Sequence, residues 1–287
     1  MIWIASLHPG RVVARLRARA LGRLAESARE QGHYARAEQL FGQALAIAER
    51  ALGPSGDAEV ATLLNNLGVL HKYQARFDEA ESVYHRALAI LLAARGEASV
   101  EVAALYHNLG GLEHARGQYS RGEPFARRGL EIRERVLGPD HSDVAADAAA
   151  LAAILDGQGK REEAEALFRR ALTVFERIYG PHHYEVAVNQ NNLGAFHQAK
   201  GEAAEAERLY QRALAIKEKL LGSEHPDIAM TLNNLAVLYK SQARYVEAEP
   251  LYRRALAIFE TALGPSHPKA IACSENHRAL LRELKSG

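Results

Sequence analysis

Cysteine occurs once in the 287 residues, as Cys273, which excludes an internal disulfide framework and a cysteine-based metal cluster. A chain without disulfides suits a reducing compartment, and the cytoplasm is the expected location. Neither sign of charge is in excess: 36 lysines and arginines face 35 acidic residues, so no global field draws nucleic acid, acidic substrates or a membrane surface. No apolar run approaches the roughly 18 residues of a membrane-spanning helix. The opening MIWIASLHPG is apolar, yet it has no preceding positive charge and no small-residue cleavage site. It reads poorly as a secretory signal, and residues 1–10 are assigned to a tail. A glycine-rich phosphate loop, a Ser-His-Asp order in a suggestive context and an H-E-x-x-H pair are all missing. With no convergent acid, base and nucleophile, neither an enzyme nor a bound cofactor or metal is expected.

What the sequence does contain is one unit written many times. The marker Asn233-Asn234-Leu235-Ala236 recurs 42 residues back as Asn191-Asn192-Leu193-Gly194. Further back it becomes Ala149-Ala150-Leu151-Ala152, then His107-Asn108-Leu109-Gly110, then Asn65-Asn66-Leu67-Gly68. A fixed period of this length means a stacked array whose units bury their apolar faces against one another.

Each unit has the same grammar. Val60, Leu63, Leu64, Leu67 and Leu70 form an apolar face at helical spacing, and Ala75-Arg76 makes a tight corner. A second helix follows, with Ala80, Tyr84, Ala87 and Leu88 inward. Its small residues let helices cross closely, and the same places hold Ala37 and Ala44, Ala164 and Ala171, Ala206 and Ala213, and Ala248 and Ala255. A large aromatic falls between each pair: Phe41, Tyr84, Phe168, Tyr210 and Tyr252, with Phe125 one residue out of register. Loops such as LGPDHSDVA and LGSEHPDIA separate the units. Glycine there suits the left-handed end of a helix, and an acid (Asp143, Glu185, Asp227) suits the start of the next. The third unit holds Gly110, Gly111, Gly117, Gly122 and Gly129 and is expected to be the softest. Pro124 and Pro250 are expected in the first turn of their helices, where proline is tolerated.

The segments NNLGVLHKYQARFDEAESVYHRALAI, AKGEAAEAERLYQRALAIKEKLLGSEHPDIA and TLNNLAVLYKSQARYVEAEPLYRRALAI carry a family resemblance. They resemble the tetratricopeptide repeat in its 42-residue form, typical of kinesin light chains and their bacterial relatives. The resemblance implies an all-α, right-handed superhelical solenoid of stacked antiparallel helix pairs, with first helices lining a concave groove. Six repeats are expected over residues 11–267, and a capping helix over 268–287. It further implies a non-catalytic adaptor or scaffold that holds a protein or peptide ligand. The alternative is an array that stacks on itself or serves as an oligomerising arm.

Three ladders at the repeat period are candidate sites. His141, His183, His225 and His267 lie too far apart, roughly 10 Å, to share a metal, and loop hydrogen bonding is the better account. Arg86, Arg128, Arg170, Arg212 and Arg254 interleave with Glu81, Glu123, Glu165, Glu207 and Glu249, which reads as an ion-pair network rather than a nucleic-acid stripe. The asparagines are the sharper signal, because asparagine is a mediocre helix former, about 0.6 kcal/mol worse than alanine. They either bridge neighbouring repeats or, as the resemblance implies, clamp the backbone of an extended peptide. One amide offers a donor and an acceptor for either task.

The groove face predicted from helical spacing has a first polar cluster of Asn65, Asn66, Lys72, His107, Asn108 and His114. A floor of Ala146, Ala149, Ala150 and Ala153 follows, then a second cluster of Asn191, Asn192, Gln198, Asn233, Asn234 and Lys240. The expected ligand is an extended peptide with an apolar centre and acidic flanks, the latter drawn by Lys72 and Lys240.

Overall fold

The computed structural model describes residues 9–53 and 58–286, and among these it contains thirteen α-helices and no strand. Residues 1–8 of the expected tail and part of the first inter-repeat loop lie outside the described residues. The helices come in consecutive pairs: α1 (Pro9–Glu30) with α2 (Tyr34–Leu52), α3 (Ala58–Tyr73) with α4 (Phe77–Arg95), and α5 (Val100–Ala115) with α6 (Tyr119–Leu137). Next are α7 (Ser142–Gly157) with α8 (Arg161–Tyr179), α9 (Tyr184–Ala199) with α10 (Ala203–Leu221), and α11 (Pro226–Ser241) with α12 (Tyr245–Leu263). The last helix, α13 (Pro268–Ser286), stands without a partner of its own. Helix α1 starts at Pro9, two residues before the sequence-based boundary. The chain divides into two compact units between Val136 and Leu137, so α1–α6 and α7–α13 are described separately.

In the first unit the first two pairs close through the small–large–small code. Ala80, Tyr84 and Ala87 of α4 are fully buried, and the Tyr84 ring lies directly over Gly68 of α3. A Cβ added at Gly68 would sit 2.5 Å from the ring, so the marker glycine is a seat for the aromatic. The third pair solves the same problem differently. Ala126 replaces the large residue and packs on Gly110, while Gly129 brings α6 against the backbone of Ala103 and His107. The displaced Phe125 stacks on Tyr106 with ring centroids 6.3 Å apart. Glycine thus serves close helix approach here.

The second unit repeats the code with Phe168, Tyr210 and Tyr252 buried between alanines, and Gly194 seated under Tyr210. Its last core cluster joins α11 and α12 to Ala270, Cys273 and Leu280 of α13. Burial pushes the Cys273 thiol up to about 11.

The corners between paired helices need one left-handed residue. Gly117, Gly159 and Gly201 supply it with φ between 72° and 81°, whereas Ala75 and Ala243 adopt φ 59° and 58° at the same place. The loops between pairs end on a histidine cap. The Nδ1 atoms of His141, His183, His225 and His267 accept from the backbone N–H two residues on, at 3.1–3.3 Å. Ser99 does this for α5, its Oγ accepting from Val102 N at 3.1 Å, in the loop that lacks proline. The histidine ladder is therefore a set of helix starts.

One expectation is corrected. Pro124 and Pro250 lie six residues into α6 and α12, beyond the first turn. Both helices begin straight after the corner, earlier than the sequence suggested. Each ring removes the donor for the carbonyl four residues back, Ser120 or Val246. Both prolines are exposed, which leaves those carbonyls open to water.

Candidate binding surface

The first helices carry the asparagine pairs one turn from the marker glycine, and the two amides of a pair have different fates. Within the first unit, Asn108 Nδ2 of α5 donates to Asn65 Oδ1 of α3 at 2.7 Å. Asn65 in turn donates to Asn66 Oδ1 at 3.3 Å, and Asn66 Nδ2 donates to Glu26 of α1. Within the second unit, Asn234 Nδ2 of α11 donates to Asn191 Oδ1 of α9 at 3.4 Å. The rule is that the second amide of one repeat reaches back to the first amide of the repeat before it. Asn192 has nothing to reach for, because the preceding repeat carries Ala149 and Ala150. It makes no hydrogen bond among the described residues and is half-buried. Asn233 is likewise without a bonded partner there.

The remaining candidates separate in the same way. Gln198 Oε1 accepts from the Tyr210 hydroxyl at 2.9 Å, and Lys240 pairs with Glu283 of α13 at 3.1 Å. Lys72 extends over Gly111 of the next first helix, its Nζ 3.5 Å from where a Cβ would stand. His114 meets the Tyr119 ring edge-on at 5.5 Å, and His107 is half-buried. The map of polar clusters therefore joins residues that face each other, yet most of their polar groups are already engaged within the array.

Beside Asn192 the second unit presents an apolar strip. Ala146, Ala150 and Ala153 of α7 are partly exposed, while Ala149 is buried. Sequence reasoning stopped at these alanines and missed their continuation. At the equivalent places Val188 of α9 and Val237 of α11 keep partial exposure, and Ala195 of α9 is exposed. The signal was present, since these positions recur at the same 42-residue period.

On the other side of the array the charge ladder is realised as ion pairs between repeats. One glutamate of four of the second helices receives a cation from the next corner: Glu38 from Arg76 at 2.6 Å and Glu81 from Arg116 at 2.6 Å in the first unit. Glu165 receives Lys200 at 3.1 Å and Glu207 receives Arg244 at 2.6 Å in the second. Hydrogen bonds from these cations hold all four carboxyls below the usual carboxylate range. The arginine ladder adds Arg86–Glu49 and Arg254–Glu218, at 2.5 and 2.6 Å. Along these second helices acids and bases are thus interleaved and paired. Among the described residues no group of three or more His, Cys, Asp or Glu is placed to hold a metal. No helix there is long and apolar enough to cross a membrane.

Comparison with known proteins agrees with this geometry. No curated protein matches the sequence. Among solved structures, BtubC (BKLC) from P. vanneervenii is 26% identical with a TM-score of 0.53, over 89% of this chain and 94% of that one. A Podosopora anserina protein described as a kinesin light chain with nearly identical TPR-like repeats is 23% identical, TM-score 0.52, over 72% and 97%. The apo form of RapI, at 18% identity and TM-score 0.54 over 79% and 84%, shares the fold. The tetratricopeptide repeat family matches residues 16–93, 101–177, 145–194, 185–261 and 228–285. With paired helices, repeat-spaced glycine seats and this coverage, the chain belongs to the tetratricopeptide repeat family.

Proposed function

We propose that the chain is a non-catalytic adaptor, and that α7, α9 and α11 hold an extended peptide on the face carrying Asn192. Tetratricopeptide repeats generally mediate protein–protein interaction, and that coarser role belongs to the family. The observation that supports the finer reading is the gap in the amide ladder. A half-buried Asn192 without a bonded partner stands beside a strip of alanine and valine. Its amide can donate to and accept from one peptide backbone unit, and the strip accepts an apolar side chain while disfavouring a charged one. Acidic residues after that side chain would compete with Glu283 for Lys240.

The test is a peptide array of extended sequences with one aromatic residue and acidic neighbours, followed by affinity measurement on the best binder. Asn192→Ala should weaken binding by about 1 kcal/mol, the scale of a lost hydrogen bond, with little change in melting. Ala150→Asp should abolish binding. If neither variant changes affinity, the ligand lies on another face. Association that rises with protein concentration and masks this face would instead favour the self-stacking arm.

A further inference from the structure

A cavity of about 700 Å³ lies in the first unit between α1, α3 and the end of α4. Four arginines line it, Arg15, Arg19 and Arg23 from α1 and Arg95 from α4, against two acids, Glu26 and Glu59. The α1 arginines are four residues apart and so share one face of that helix. The acids are already committed. Glu59, with its side chain 9% exposed, stands 3.6 Å from Arg15 and 3.3 Å from Arg19. Glu26 accepts from Asn66. Arg23 and Arg95 are exposed and make no ion pair among the described residues. Four guanidinium groups against two carboxylates therefore leave the lining with two positive charges in surplus, and Arg23 and Arg95 come to it from different helices. Gly22, Ala58 and Ala94 add small, uncharged lining.

We propose that this cavity binds a phosphate monoester dianion carried on a compact organic group. The charge matches the surplus. A carboxylate can stand between two guanidinium groups, as Glu59 does for Arg15 and Arg19, yet it carries one negative charge and would leave half of the surplus unbalanced. A phosphate monoester dianion carries two and offers three terminal oxygens to the guanidinium donors. The volume lies in the range that holds small organic ligands, and the small side chains leave room for the group esterified to the phosphate. The chemistry is shared by a nucleotide and a phosphorylated side chain. This site does not depend on the peptide reading above, which concerns other helices.

Calorimetry on the full chain with adenosine monophosphate, a phosphoserine peptide with neutral flanks, inorganic phosphate and an unphosphorylated peptide rich in aspartate tests the assignment. At least one of the two phosphate monoesters should bind, and whichever binds more tightly identifies the source. Arg23→Gln and Arg95→Gln should each weaken that binding about tenfold, the scale of a charge-assisted hydrogen bond, with unchanged circular dichroism. Arg17→Gln, on α1 but outside the cavity lining, should leave it unchanged. No binding of either monoester at millimolar concentration overturns the proposal, as does binding that survives both substitutions. Equal affinity for the aspartate-rich peptide also overturns it, since the site would then not be distinguishing a phosphate dianion from carboxylates.

Discussion

Asn108 of α5 donates its amide to Asn65 of α3 at 2.7 Å, and Asn234 of α11 does the same to Asn191 of α9 at 3.4 Å. Each bond ties one repeat to the next through side chains that sequence alone allows to face a ligand. Asn108→Ala should therefore lower stability by about 1 kcal/mol, because it leaves the half-buried Asn65 carbonyl without its donor. A double-mutant cycle of Asn65→Ala with Asn108→Ala should show coupling, whereas Asn192→Ala should be close to neutral in urea unfolding. Equal losses at Asn108 and Asn192 would mean that the ladder carries no energy.

The corners give a second test. Ala75 and Ala243 hold the left-handed backbone that Gly117, Gly159 and Gly201 hold elsewhere. A Cβ in that region costs about 1 kcal/mol, offset in part by the greater freedom of glycine in the unfolded chain. Ala75→Gly and Ala243→Gly should each raise the urea midpoint slightly. Gly117→Ala and Gly201→Ala should lower it by a similar step. A uniform fall across all four would refute the strain argument.

Acid should weaken the array through its inter-repeat ion pairs. Glu38, Glu81, Glu165 and Glu207 have carboxyls held below their ordinary value of 4.5. A depressed folded-state value means that their contribution is complete above the unfolded value and is lost as pH falls through the folded one. Melting temperature should be flat from neutrality to about pH 5 as far as these groups are concerned, then drop on further acidification. Each pair is partly exposed, so its share is up to about 1 kcal/mol and should shrink with added salt. Glu207→Gln with Glu165→Gln should flatten the acid limb; an unaltered limb would assign it to other groups.

Helix α13 is proposed as the cap of the array. Removing residues 268–287 takes away Ala270, Cys273 and Leu280, which complete the core cluster of α11 and α12. The truncated chain should melt lower and associate in light scattering, since the surface of α12 around Tyr252, which α13 packs on through Cys273 and His277, is then open. A monomeric truncation with unchanged melting would show that α13 is dispensable.

The sequence by itself determined the repeat, because a 42-residue period, an apolar stripe at helical spacing and glycine-bearing loops are all local. It also determined which helix faces go inward, since Ala80, Tyr84 and Ala87 have the same burial as Ala206, Tyr210 and Ala213. What it left open was every question of who meets whom between repeats. Asn65 and Asn192 look alike in the chain, yet one is bonded and the other is not, because the difference lies in the neighbour 43 residues away. Lys217 occupies the place that Leu91, Phe175 and Phe259 fill in other repeats. It is buried there, donating to Thr231 Oγ1 at 3.0 Å, and its surroundings lower its pKa by desolvation. No stretch of sequence states that such a lysine will find a hydroxyl at the right distance. Nothing local in the α1 sequence states that Arg15 and Arg19 will stand beside Glu59 of α3, while Arg23 makes no ion pair among the described residues. Periodicity fixes the fold because it acts along the chain. Pairing between repeats, and with it the candidate sites, depends on distances that exist only once the helices are stacked.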